Sequence, residues 1–338
     1  MDRRGRSCPL AYRYQPEAFA QPAQLEADTL YVVGGLYGNP AALAAVLERV
    51  HQEPGGPARI VFNGDFHWLD VEPDDFCTIS ETVLAHHAIK GNVEAELADE
   101  DETAGCGCAY PDYVDDDVVE RSNQIMTRLR ATAGQFPDVV DRLGELPRHL
   151  TARVGGERVG ILHGDPESLA GWRLALEAME PGDPIVRHHV GWRGQPTSAT
   201  ELLDWFHRAD VTVFASTHTG LPYAQAIPDG DHQRLVINNG AAGLPAFAGT
   251  SYGVITRLSG IPSPPADSLY GTTIGGLRGD ALPVRFDITR WKGRFLAQWP
   301  PGSPAHRSYF TRITSATHLQ LQQAARGGVQ LTTHSEHP

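Results

Sequence analysis

Asp65, Asn92, His163 and His218 each stand just beyond a short apolar run, in the settings Gly64-Asp65, Gly91-Asn92, His163-Gly164 and Thr217-His218-Thr219-Gly220. A carboxylate oxygen, an amide oxygen and two imidazole nitrogens are ligand types that suit a divalent transition metal such as Zn, Fe or Mn. Gly64 permits a sharp turn after the Ile60–Phe62 run, which leaves Asp65 at the C-terminal edge of a strand. In open α/β sheets that edge is where ligands bind. A single Gly-Asp is better read as a turn aspartate bonding its own backbone. Four apolar runs ending in ligand types favour a metal site.

Two further clusters carry chemistry. Arg187, His188 and His189 are the most cationic group in the chain and are candidate contacts for an anionic substrate; the competing reading is a solvated loop. Cys106 and Cys108 flank one glycine, too close for an unstrained mutual disulfide, yet able to face one metal or act as a redox pair. The competing reading is two small residues packed under a loop. His86 and His87 are read as packing residues, and Cys8 and Cys77 as structural.

The elements that must position these groups alternate in type. Residues 29–33 read as a strand, followed by a glycine-rich turn and a helix over 41–50 that presents Leu43, Val46, Leu47 and Val50 on one face. With the next strand at 60–62 this makes a βαβ unit and parallel neighbours. Helices are expected over 80–89, 118–132, 139–146, 200–208 and 291–298. Strands are expected over 158–162, 211–215, 235–237, 252–257 and 284–286. Residues 1–28 form an N-terminal arm and 29–300 the main domain, with an acidic, Cys-bearing insertion at about 95–117 and a Pro/Gly-rich loop at 259–283. Residues 301–338 read as a weakly patterned tail, with His334 and His337 disordered.

Composition narrows the function class. A chain of 338 residues, 41% hydrophobic and 20% charged, can bury a large core. The net charge of -13 argues against nucleic acid or an anionic membrane as partner. It leaves room for a small anionic substrate, because a bound cation reverses the sign locally. No apolar run approaches membrane-spanning length, and the charged N-terminus is followed by no apolar core of a signal peptide. Four cysteines in so long a chain point to a cytoplasmic location. Nothing sets the oligomeric state.

In order and spacing, the motifs resemble those of the calcineurin-like metallophosphoesterases, specifically the small bacterial phosphodiesterase-like branch. Gly64-Asp65 is similar to the family's Gly-Asp, Gly91-Asn92-Val93-Glu94 to its Gly-Asn-x-Asp/Glu, and His163-Gly164 to its His-Gly. Thr217-His218-Thr219-Gly220-Leu221-Pro222 is similar to Gly-His-Thr-His-x-Pro, and Asn238-Asn239-Gly240-Ala241 to the Asn-Pro-Gly-Ser that follows. The resemblance covers roughly residues 29–300 and implies a four-layer αββα sandwich, two mixed β-sheets flanked by helices, with metals at the strand tips.

The departures fall on one side. Where the family opens with Asp-x-His-Gly-Asn, this chain has Gly35-Leu36-Tyr37-Gly38-Asn39, and the second histidine of the fourth motif is Gly220. The resemblance makes those three positions the ligands of the first metal alone. The ligands of the second correspond to Asp65, Asn92, His163 and His218, all retained. One ion is therefore expected, with the second metal site lost and open positions left for catalysis. The histidine common in the third motif is Val93 here, and His67 is a candidate replacement acid; the competing reading is a structural histidine. The candidate catalytic residues are Asp65 and His67. The expected function is hydrolysis of a small phosphate ester through a metal-activated water. The alternatives are a metal-binding protein without turnover on the same fold, or an enzyme using the Cys106/Cys108 pair for other chemistry. In the last case the thiols would line the space left by the missing ligands.

Overall fold

The computed structural model describes residues 4–99 and 101–332. His334 and His337 lie outside the described residues. Two seven-stranded mixed sheets pack face to face among the described residues. The first runs Gln330–Leu331, Tyr270–Ile274, Leu277–Val284, Gly253–Ser259, Thr29–Val33, Arg59–Asn63, His87–Ile89. The second runs Leu25–Ala27, His149–Val154, Glu157–Leu162, Val213–Ser216, His232–Asn238, Tyr223–Asp229, Ala325–Arg326.

The period-two alternation of strand side chains builds the layers. Leu30, Val32 and Val61 of the first sheet pack in one core with Val159, Ile161, Val213 and Val236 of the second. Their neighbours Tyr31, Val33, Ile60 and Phe62 face the other way. They pack with Leu43 and Val46 of the Pro40–His51 helix, Ile79 and Val83 of the Pro73–Leu84 helix, and Trp291 and Phe295 of the Ile288–Gln298 helix. On the far side of the second sheet, Leu202, Trp205 and Phe206 of the Ala199–Ala209 helix pack with Phe214. The four-layer sandwich expected from the motifs is the observed architecture.

Three parallel strands lie side by side in each sheet. In the first sheet Thr29–Val33 pairs with Arg59–Asn63, which pairs with His87–Ile89. In the second Glu157–Leu162 pairs with Val213–Ser216, which pairs with His232–Asn238. Just past the ends of these strands stand Gly35, Asp65, Asn92, His163, His218 and Asn239, so the strand tips assemble one edge from both sheets.

Several expectations are corrected. The helix placed at 80–89 runs over Pro73–Leu84, and His87–Ile89 is a strand. The signals are Pro73 at the first helical position and Asp74 and Asp75 in the first turn, where a helix favours acidic side chains. The loop at 259–283 contains a hairpin, Tyr270–Ile274 with Leu277–Val284, whose turn is Gly275-Gly276. The segment beyond Pro300 contains the helix Pro304–Ser315, which packs against the domain through Ala305 and Ile313. The N-terminal arm is woven in, since Leu25–Ala27 is an edge strand and Phe19 is buried against Phe214 and His149. No described helix is long and apolar enough to cross a membrane.

Candidate metal centre

Asp65 follows Asn63 by a turn in which Gly64 (φ 77°) and Asp65 itself (φ 56°) are both left-handed. Gly64 has no alternative: a Cβ there would come 2.4 Å from the Gly91 nitrogen and 2.7 Å from His163 Nδ1. Asp65, a non-glycine residue, is strained in this conformation and must be held there. Glu94 does so. Its carboxylate accepts the backbone N–H of Asp65 (2.8 Å), Phe66 (2.8 Å) and Gly91 (2.9 Å), which clamps the Asp65 turn to the start of the Asn92–Ala98 helix.

Around this turn the ligand atoms converge. Asp65, His163 and His218 each place one ligand atom within 4.8 Å of the others. Asp65 Oδ2 lies 3.3 Å from His163 Nε2, and His163 Nε2 lies 3.2 Å from His218 Nδ1. Two ligands bound at 2.0–2.1 Å in tetrahedral geometry stand about 3.3 Å apart, so both separations match edges of one coordination polyhedron. His163 Nδ1 sits 2.9 Å from the Asn63 carbonyl, which orients the ring and directs Nε2 into the cluster. Asn92 donates from Nδ2 to the Cys106 carbonyl (3.0 Å) and toward Cys108 Sγ (3.6 Å). Its buried Oδ1 has no hydrogen-bond partner, and neither has His218 Nε2. A buried amide oxygen left unsatisfied beside a carboxylate and two imidazoles is what a cation would complete. The four residues fit the divalent ion that the motifs imply.

Electrostatics agree. Burial pushes the Asp65 carboxyl up, but His163, then His218 and the Val93 N–H, outweigh it and hold the group below its ordinary value. Burial lowers His163, and the Asp65 carboxylate more than reverses this. Burial and then His163 depress His218 to about 3, so that it is a neutral imidazole with a lone pair to give.

The other candidates are placed elsewhere. His67 is fully buried, with Nδ1 3.2 Å from Asp70, Nε2 3.0 Å from the Ser80 hydroxyl and its ring against Phe76. Burial lowers its pKa to about 4. Both nitrogens are committed and the ring lies outside the cleft lining, which is the arrangement of a structural histidine rather than a replacement acid. Arg187, His188 and His189 lie on the short Pro184–His189 helix away from the cleft. Arg187 donates to the Glu177 carbonyl and stacks on Trp192, while His189 stacks on His318. His86 is exposed, with its ring edge-on to Phe62, and His87 is exposed as well. Cys106 and Cys108 are buried free thiols, and only Cys108 lines the cleft. Burial, then Cys106, raises the Cys108 thiol well above its usual range, which makes it a poor nucleophile. What the Cys106–Cys108 turn does is fix the Asn92 amide through Nδ2, which leaves Oδ1 without a partner.

Asp65, Asn92 and His218 open into a narrow cleft of about 150 Å³, also lined by Tyr37, Trp68, Val93, Tyr110, Trp172, Tyr309 and Arg312. A Cβ on Gly35 would meet the Tyr37 ring at 2.7 Å, and one on Gly220 would meet Arg312 Nη1 at 2.9 Å. Tyr309 and Arg312 were missed in the sequence because they lie beyond residue 300. The available signal was Pro304 after Ser303 followed by Tyr309, Phe310 and Ile313 at helical spacing.

No protein-family profile matches the sequence, and neither does any curated protein. Solved structures do match. A metallophosphoesterase from Sphaerobacter thermophilus superposes with a TM-score of 0.52 at 15% identity, covering 86% of this chain and 100% of its own. A hypothetical protein from Pyrococcus horikoshii OT3 does so with a TM-score of 0.53 at 14% identity, covering 86% of this chain and 99% of its own. With its two mixed seven-stranded sheets between helical layers, this chain has the fold of the calcineurin-like metallophosphoesterases.

Proposed function

We propose that this protein is a metal-dependent phosphoesterase-type hydrolase that works with one divalent transition ion and a small phosphate ester. The observation that carries the reading is the convergence of Asp65, His163 and His218 on one point, with the unpartnered Asn92 Oδ1 beside them. These four residues would hold the ion, whether Mn, Fe or Zn. When bound, it supplies Lewis acidity toward water and a phosphoryl oxygen.

The chain's own groups do the rest. Glu94 and the Asn63 carbonyl fix Asp65 and His163, and the Cys106–Cys108 turn fixes Asn92. Trp172 donates to the Cys108 carbonyl (2.9 Å) and packs edge-on to His218, walling one side against water. Sites for drug-sized ligands span roughly 300–1,000 Å³. A cleft of about 150 Å³ admits a phosphoryl group and leaves most of the ester outside. With Tyr37 and Arg312 occupying the other half, one ion rather than two is the expected content. A cytoplasmic setting and a partner other than nucleic acid or membrane belong to the same reading.

Elemental analysis should find about one transition ion per chain, and two would refute the single-ion reading. Chromogenic phosphate mono- and diesters should be hydrolysed, and the Asn92→Ala variant should lose both ion and turnover. A second reading, a metal-binding protein without turnover, draws on the sequestration of His67, which leaves no histidine in the cleft beyond the ligands among the described residues. Full metal occupancy with no hydrolysis would favour it.

A further inference from the structure

Arg312 is an arginine without a counter-ion, unlike two others that the fold encloses. Arg257 is paired with Glu53, and Arg278 with Asp280. No carboxylate reaches Arg312 among the described residues. Its head is instead pinned to backbone: Nη2 donates to the Gly220 carbonyl (2.7 Å) and Nε to the Pro245 carbonyl (3.2 Å). Nη1 finds no protein acceptor among the described residues, and the side chain lines the same cleft as Asp65, Asn92 and His218.

A guanidinium held at two nitrogens and presenting the third is pre-organised for an oxyanion. Holding an uncompensated positive charge in a partly buried cleft is costly unless an anion completes it. Burial accordingly depresses the Arg312 pKa, with Tyr37 and Tyr309 opposing. Space points the same way. Nη1 sits where the first atom of any side chain at position 220 would crowd it, and the Tyr37 ring fills the space over Gly35. Burial, then Asp65, raises the Tyr37 phenol, so it remains a hydrogen-bond donor at neutral pH. The half of the cleft that lacks metal-ligand side chains thus holds a fixed cation and a neutral donor.

We infer that Arg312 binds the phosphoryl group of the substrate through Nη1, opposite the Asp65–His163–His218 cluster, so that a guanidinium supplies the second positive charge in the cleft. The substrate class rests on the function proposed above; the anion site rests on the Arg312 geometry alone. Its natural probe is inorganic phosphate.

The test is calorimetric titration of phosphate into metal-loaded and metal-free protein, for the wild type, Arg312→Gln and Arg312→Lys, with metal content measured in parallel. Loss of a charge-assisted contact should weaken phosphate binding about 10- to 100-fold in Arg312→Gln, with a smaller loss in Arg312→Lys and unchanged metal content in both. Phosphate affinity within twofold of wild type in Arg312→Gln overturns the inference. Because Arg312 also anchors Gly220 and Pro245, phenylglyoxal labelling of the wild type provides a reading that needs no variant. Phosphate should protect Arg312 from modification, and labelling at the same rate with and without phosphate overturns the inference. Protein that takes up no metal, yet binds phosphate in an Arg312-dependent way, supports the anion site while removing the hydrolase reading.

Discussion

Glu94 is the residue whose substitution most directly tests how the metal centre is held. Its Oε2 accepts from the Asp65 and Gly91 N–H groups and its Oε1 from that of Phe66, and the side chain is fully buried. In Glu94→Gln the amide oxygen can keep the first two bonds, but the NH₂ then faces the Phe66 N–H, donor against donor. An orphaned buried N–H costs about 1–3 kcal/mol, and the remaining two bonds lose their charge assistance. Against this, the variant no longer buries a charge beside Asp65. Burial, then Asp65, raises the Glu94 pKa, with His67 and the backbone N–H groups opposing, so neutralising it relieves part of the cost. Three well-aligned donors should win, and the net expectation is a destabilisation of about 2 kcal/mol.

Metal binding separates a positioning role from a merely structural one. Asp65 keeps its left-handed conformation because Glu94 ties down its N–H, and a residue held that way stores about 1–3 kcal/mol of strain. Released, Asp65 should relax away from His163, and metal affinity should fall about 10- to 100-fold, the usual effect of losing a group that orients a ligand. Urea unfolding followed by circular dichroism gives the stability change. Metal titration against a competing chelator, at a urea-free concentration where both proteins are folded, gives the affinity. A variant destabilised as expected but binding metal like the wild type would refute the claim that Glu94 positions Asp65.

Two further outcomes follow from buried titratable groups. Burial raises Glu96 to about 7 despite its bonds from Tyr12 (2.6 Å) and Arg130 (3.2 Å). A carboxyl whose folded pKa lies above its unfolded value of 4.5 favours folding below that value, and the contribution is lost as pH rises through about 7. Glu96→Gln should therefore flatten the fall in stability between about pH 4.5 and 7, by up to about 3 kcal/mol, in pH-dependent urea unfolding; an identical slope in both proteins would contradict this. Of the four thiols, Cys8 and Cys77 are partly exposed and should react quickly with a chromogenic disulfide reagent in native protein. Cys106 and Cys108 should react only after denaturation, and a third fast thiol would show that the Cys106–Cys108 turn opens.

The convergence of the candidate ligands was legible because each is a metal-ligand type placed directly after an apolar run, and strands with such ends bring their tips to one edge. Asp65 and Asn92 leave neighbouring strands of the first sheet, and His163 and His218 leave neighbouring strands of the second. The short His87–Ile89 strand was hidden because three residues carry no period, and its apolar content merged with the helix before it. Charge density misled at Arg187, His188 and His189. An arginine and two histidines in a row announce nothing about position, and there a six-residue helix lays Arg187 over Trp192. Arg312 was invisible for the opposite reason: one of two arginines spaced along the Pro304–Ser315 helix, it reaches the Gly220 loop only through tertiary packing.

One class of signal is absent from the sequence in principle. Tyr37, Asp65 and His218 all adopt positive φ, at 54°, 56° and 53°, although none is glycine. Local propensity opposes each of them, so the surrounding structure must impose the conformation. The three contribute to one cleft: two as candidate ligands and one as the ring that fills the space above Gly35. Ala109, Asp210 and Ala316 share the positive φ outside the cleft lining. At Asp65 and His218 the chain gives up local stability to aim these side chains inward. A scaffold kept only for its core would be more stable with glycine or asparagine at such turns. The strained geometry of Asp65 and His218 is therefore one more observation that agrees with the proposed metal site.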